Sequence, residues 1–216
     1  MLTKILFVFL FLYIPYSYSE VSMHDFIVGN DVKKLETLVQ KSKKADLEKR
    51  DERGRTPLML ATELRRTEIA SILMKAGADV NARDNKQDTP YLYAGAEGLL
   101  DILKMTLTHG ADLKSTNRYG GTALIPAAEK GHIENVKVLI TAGVDVNHIN
   151  KLGWTALMEA VVLTDGSKKY VEIIRLLIEG GADVNIPDKN GVTALAHARK
   201  KGFKEIEKLL IQSGAK

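Results

Sequence analysis

The sequence predicts an all-α solenoid of stacked repeats, and three observations carry that expectation. Sliding the chain against itself gives one dominant offset. Gly54-Arg55-Thr56-Pro57-Leu58 recurs as Gln87-Asp88-Thr89-Pro90-Tyr91, Gly120-Gly121-Thr122-Ala123-Leu124, Gly153-Trp154-Thr155-Ala156-Leu157 and Gly191-Val192-Thr193-Ala194-Leu195, at spacings of 33, 33, 33 and 38 residues. A second marker keeps the same phase: Gly77-Ala78-Asp79-Val80-Asn81, Gly110-Ala111-Asp112-Leu113, Gly143-Val144-Asp145-Val146-Asn147 and Gly181-Ala182-Asp183-Val184-Asn185. Between the markers, apolar residues recur at helical spacing, as in Val136, Leu139 and Ile140 or Ile173, Leu176 and Leu177.

These two motifs, held over most of the chain, resemble the ankyrin repeat, and the resemblance runs from about Val21 to Lys216. It implies pairs of antiparallel helices joined to the next pair by a hairpin loop. On that template each Thr of Gly-x-Thr caps the first helix of its unit, followed by Pro or Ala. Ala61, Ala94, Ala127, Ala160 and Ala198 let neighbouring units approach closely, and Gly98, Gly131 and Gly202 turn the chain between paired helices.

Taken in order, residues 1–19 stand apart. Lys4 precedes the apolar run Ile5–Ile14, Pro15 breaks it, and Ser17-Tyr18-Ser19 offers small residues at the positions a signal peptidase reads. The run is half of what a membrane span needs. We expect a cleavable signal peptide, cut after Ser19, and therefore a periplasmic or secreted protein with no integral membrane segment after cleavage. Residues 21–53 form a divergent first unit, with Asn30 at the turn position and Asp46–Asp51 in phase with Asp79–Asp84. Units follow at 54–86, 87–119, 120–152 and 153–190, the last expanded by Thr164–Lys168. Residues 191–216 close the stack as a cap whose outer face carries Arg199, Lys200, Lys201, Lys204 and Lys208.

Composition narrows function. Of 216 residues, 45% are hydrophobic and 27% charged, as in a folded soluble chain, and the formal charge is +4. Zero cysteines remove disulfides, thiolate catalysis and Cys-ligated metal. No phosphate-cradling or nucleophile-elbow motif occurs, and none of His24, His109, His132, His148 and His197 pairs with another at helical spacing, so we expect no enzyme activity, cofactor or metal. Basic excess falls in the second unit and the last, with neutral or acidic units between them, so no stripe tracks a nucleic-acid backbone.

The family resemblance implies a monomeric scaffold that binds a protein partner on the concave face, made from hairpin tips and first helices. Transferred onto this chain, that face contains Glu52, Arg53, Arg55 and Glu63; Asn85, Lys86, Asp88 and Glu97; Arg118, Tyr119, Glu129 and Lys130; Lys151, Leu152, Trp154 and Leu163; and Lys189, Asn190 and Val192. Arg118, Tyr119, Lys151 and Trp154 have the composition of an interaction hot spot, although Trp154 can equally pack flat against its hairpin. Glu159 takes an inner-helix place where other units have Leu60, Tyr93, Pro126 and His197; such a carboxylate needs a partner, for which Arg118 or Tyr119 is in reach. The alternative is a small-ligand receptor or cryptic enzyme with a polar pocket around Arg118, Tyr119, Trp154, Glu159 and His148. Strings such as Gly121–His132 and Leu152–Leu157 further resemble a group of exported bacterial ankyrin proteins. Amino-terminal sequencing of the exported protein should start at Glu20; material still carrying Phe7–Ile14 would make residues 1–19 an anchor instead.

Overall fold

The computed structural model describes residues 22–216, so the signal-peptide expectation lies outside the described residues. Among the described residues the chain forms thirteen helices. The first unit contains α1 (Met23–Val28), α2 (Val32–Lys41) and the single turn α3 (Lys44–Leu47). The next four units pair α4 (Pro57–Glu63) with α5 (Thr67–Lys75), α6 (Pro90–Ala96) with α7 (Leu100–Thr108), α8 (Leu124–Glu129) with α9 (Ile133–Thr141), and α10 (Ala156–Val162) with α11 (Lys168–Glu179). The cap pairs α12 (Ala194–Lys201) with α13 (Lys204–Gln212). First helices stack in one layer, α1 on α4 and onward to α12, and second helices stack in another, α2 on α5 and onward to α13.

Helix starts follow from the repeated threonine. Thr56, Thr89, Thr155 and Thr193 each accept a hydrogen bond from the backbone N–H three residues on, at 3.1 to 3.4 Å. Thr122 departs from the expectation. In the other units the residue four after the Thr donates its N–H to the Thr carbonyl, but here that residue is Pro126, which has none. Ile125 donates to that carbonyl instead, at 3.3 Å, α8 starts later, and the buried Thr122 hydroxyl is left without a partner.

The layers meet because the residues between them are small. Ala61, Ala94, Ala127, Ala160 and Ala198 are all fully buried. Gly95 shows how close the units come: a Cβ placed there would stand 2.7 Å from Ala123 Cβ. The turn between paired helices takes left-handed backbone, supplied by glycine at 98, 131, 166 and 202, by Asn30 as expected, and by Arg65, which the sequence did not single out.

Three kinds of polar contact tie one unit to the next. At the loops, Asn81 donates to the Gly110 carbonyl at 2.9 Å and accepts from the Asp112 N–H at 2.8 Å; Asn147 and Asn185 repeat this toward Gly181 and Asp183, and toward Gly214 and Lys216. At the tips, Asn85 and Lys151 donate their backbone N–H to Arg53 and Tyr119. In the core, the buried Asn135 side chain on α9 donates to the carbonyls of Ala94 and Gly95 on α6.

In the expanded unit, part of the insertion is helix and the rest is loop. Lys168 already belongs to α11, which is 12 residues long against nine in α5, α7 and α9. The remaining loop is held by the cap: Lys201 donates to the Thr164 carbonyl at 3.0 Å, and the Phe203 ring occupies the space a side chain at Gly166 would need. Asn135→Ala should lower unfolding free energy by about 2 kcal/mol, because it removes two buried hydrogen bonds at the junction of two units. Urea denaturation checks this.

Candidate functional site

Each hairpin tip is built on one side chain. Asp51, Asp84, Asn117, Asn150 and Asp188 each accept two backbone N–H groups, from the residues two and four positions on, at 2.8 to 3.1 Å. The backbone N–H of each also donates to the carbonyl four residues on. This double hold closes the tip over the start of the following helix.

A groove of about 500 Å³ lies between these tips and the first helices of the four units from 54 to 190. Lys86, Asp88, Arg118, Tyr119, Asn150 and Leu152 line it from the tips; Glu63, Tyr93, Glu97, Ile125, Pro126, Glu129, Lys130, Glu159 and Leu163 line it from the helices and their ends. It opens to solvent, since Tyr119, Leu152 and Leu163 remain 55%, 52% and 49% exposed.

The structure therefore brings together Arg118, Tyr119, Glu129, Lys130 and Glu159 of the expected site, but not Lys151 or Trp154. Lys151 follows the tip asparagine directly; its stem lies across Gly120 and its Nζ donates to the Arg118 carbonyl at 2.9 Å. Asn85 and Lys189 lie in the same way over Gly54 and Gly153. Trp154 is partly buried against the core, with its backbone N–H held by Asn150 at 3.1 Å, and does not line the groove. His148, needed by the small-ligand alternative, is bonded through Nε2 to the Gly120 carbonyl at 2.7 Å and does not line the groove.

Charges in the groove are mostly matched. Arg118 stacks on the Tyr119 ring, 4.7 Å from its centroid, and pairs with Asp88 at 3.5 Å. Lys130 pairs with Glu97, and Arg53 and Arg55 both pair with Glu63. Burial works against the charge on Glu63, yet the two arginines hold its carboxyl below the usual range. Burial, reinforced by neighbouring Asp84, raises that of Asp88.

Glu159 is the exception and a correction. Neither Arg118 nor Tyr119 reaches it; its Oε1 accepts from Asn150 Nδ2 at 2.7 Å, and the residue is only 5% exposed. Burial and then the nearby Glu129 carboxylate push its pKa up to about 7, against the pull of the Asn150 bond. The sequence signal for this contact was the nine-residue step from tip to inner helix, which also joins Asp188 to His197 at 2.9 Å.

The comparisons agree with this architecture. The family described as ankyrin repeats (3 copies) matches residues 22–84 and 91–188. An ankyrin repeat domain from Acinetobacter baumannii is 55% identical, with a TM-score of 0.87 over 90% of this chain and 98% of that one. The ankyrin repeat protein EF0377 is 44% identical, with a TM-score of 0.85 over 91% and 99%. The ankyrin repeat domain of Bcl-3, a member of the IkappaB family, is 27% identical, with a TM-score of 0.82 over 92% and 88%. No curated protein matches the chain. The chain belongs to the ankyrin repeat family, whose members generally serve as protein–protein interaction modules.

A raised carboxyl pKa gives a definite sign for stability. Between its ordinary 4.5 and about 7, the folded state holds more protons at Glu159 than the unfolded state, so stability falls across that window as pH rises and is level above it. Glu159→Gln should remove this slope and become the more stable form by up to about 3 kcal/mol at pH 8, with the two proteins converging below pH 4.5. Urea unfolding across the pH range reads the difference directly.

Proposed function

We propose that this chain is a non-enzymatic scaffold that binds a protein partner in the groove of units 54–190 and acts outside the cytoplasm. One observation carries the binding face: an open groove across four units in which Tyr119, Leu152 and Leu163 stay half-exposed among charged side chains. Apolar and aromatic side chains held on rigid tips, rimmed by charge, are what a protein interface buries at its centre. The open mouth favours a macromolecular occupant over an enclosed small ligand. The exported location rests on the residues before Glu20 and on the resemblance to exported bacterial ankyrin proteins.

A photo-crosslinker at position 119 should couple to a partner from the extracytoplasmic fraction, and one at position 208 on the cap should not. With that partner in hand, Tyr119→Ala combined with Arg118→Ala should cost about 2 kcal/mol of binding. Trp154→Ala should lower the melting temperature while leaving the affinity of the folded protein within about twofold, because its side chain packs against the core and not into the groove. Cross-linking from position 208 alone would move the binding face elsewhere.

A further inference from the structure

The groove is chemically lopsided. Its lining arginine, Arg118, and Lys130 are engaged with carboxylates, Arg53 and Arg55 neutralise the lining Glu63 from outside, and the other lining cation, Lys86, lies beside Asp88. At the opposite end stand Glu129 and Glu159. No ion pair among the described residues involves either one, and the Glu129 carboxylate adds to the cost of charge on Glu159. Glu159 is almost completely buried and lines the cavity, yet only Oε1 has a hydrogen bond; Oε2 accepts none. Ile125, Pro126, Leu152 and Leu163 line the same cavity.

A carboxylate held almost entirely out of water is costly to charge unless a cation comes to it. A small hydrated cation would leave the apolar walls uncovered. A long cationic side chain would cover them with its methylene stem while placing its head at the acids. We infer that the Glu129–Glu159 end of the groove receives an arginine or lysine side chain of the partner, its stem against Leu152 and Leu163 and its charged head between the two carboxylates. That the side chain comes from a protein partner rests on the scaffold reading above; the cation site itself rests on the groove alone. The bound cation would complete the charge balance that the rest of the groove already has, and it would make one basic residue a condition for partner choice.

The test uses acetyl-Gly-Arg-Gly-amide as probe, with citrulline replacing arginine as the uncharged control of the same shape. Binding is followed through the methyl resonances of Ile125, Leu152 and Leu163 in the isotope-labelled chain. The arginine peptide should shift these methyls saturably and bind at least tenfold more tightly than the citrulline peptide. Glu159→Gln and Glu129→Gln should each weaken it at least fivefold, while Glu179→Gln, on the outer end of α11, should not. Glutamine at 159 keeps the acceptor for Asn150 and removes a buried charge, so the fold survives; Glu129, only half-buried, gives an independent route.

Equal binding of the two peptides, indifference to both glutamine substitutions, or equal methyl shifts with calcium chloride at the same concentration would each overturn the site. If the arginine peptide binds as expected but position 119 cross-links no protein, the scaffold reading fails and the cation site stands. If a partner cross-links there and binds both glutamine variants undiminished, the scaffold stands and the cation site fails.

Discussion

One interaction sets the frame for everything else: the carboxylate or amide at the base of each hairpin tip, taking two backbone N–H groups of its own turn. A hairpin loop protruding from a helix stack has many unpaired backbone donors and few neighbours to satisfy them. Asp51, Asp84, Asn117, Asn150 and Asp188 supply the missing acceptors from within. Each bond is worth about 1 kcal/mol net, more where the acceptor is charged. Because the tip is closed in one geometry, the residue two places on lines the groove as Lys86, Tyr119 or Leu152, whereas the next residue after the base lies back over the preceding unit's glycine as Asn85, Lys151 or Lys189. Arg118, whose preceding unit has Gln87 in place of that glycine, lines the groove instead. Side chains adjacent in sequence thus acquire different tasks.

That division explains what could be read from the chain beforehand. The period, the unit boundaries, the capping threonines and the buried alanines are local and repeated, so they are visible in one dimension. The groove residues at inner-helix and tip positions were visible too, since the register places equivalent residues side by side. Trp154 and Lys151 were not separable from Tyr119 by type, because an aromatic or a lysine near a tip looks the same whether it faces solvent or its own stack. Only the turn geometry decides, and that geometry depends on the base residue. The partner of Glu159 was missed for the same reason: Asn150 serves both the turn, through Oδ1, and the buried acid, through Nδ2.

Pro126 shows how a single repeat position spreads its effect. Removing one N–H shifts the start of α8, strands the Thr122 hydroxyl and shortens that helix to six residues, but it also gives the groove a rigid apolar wall opposite Leu152 and Leu163. The local loss and the apolar surface are two results of one substitution in the repeat. Asn135 of the same unit reaches past the altered helix to bond the end of α6.

The asparagine contacts between units have a consequence for how such a chain can change in length. Asn81, Asn147 and Asn185 bond across 29 to 36 residues, about one unit in each case. The loop that each junction must close is therefore the same size wherever it falls in the stack, and its entropic cost depends on the unit and not on the protein. Duplicating a unit adds one junction of a kind already present and lowers the mean separation of contacting residues relative to chain length, the quantity that slows folding. A gene that copies or drops whole units can thus lengthen or shorten the groove while leaving the chain a folding problem of unchanged difficulty.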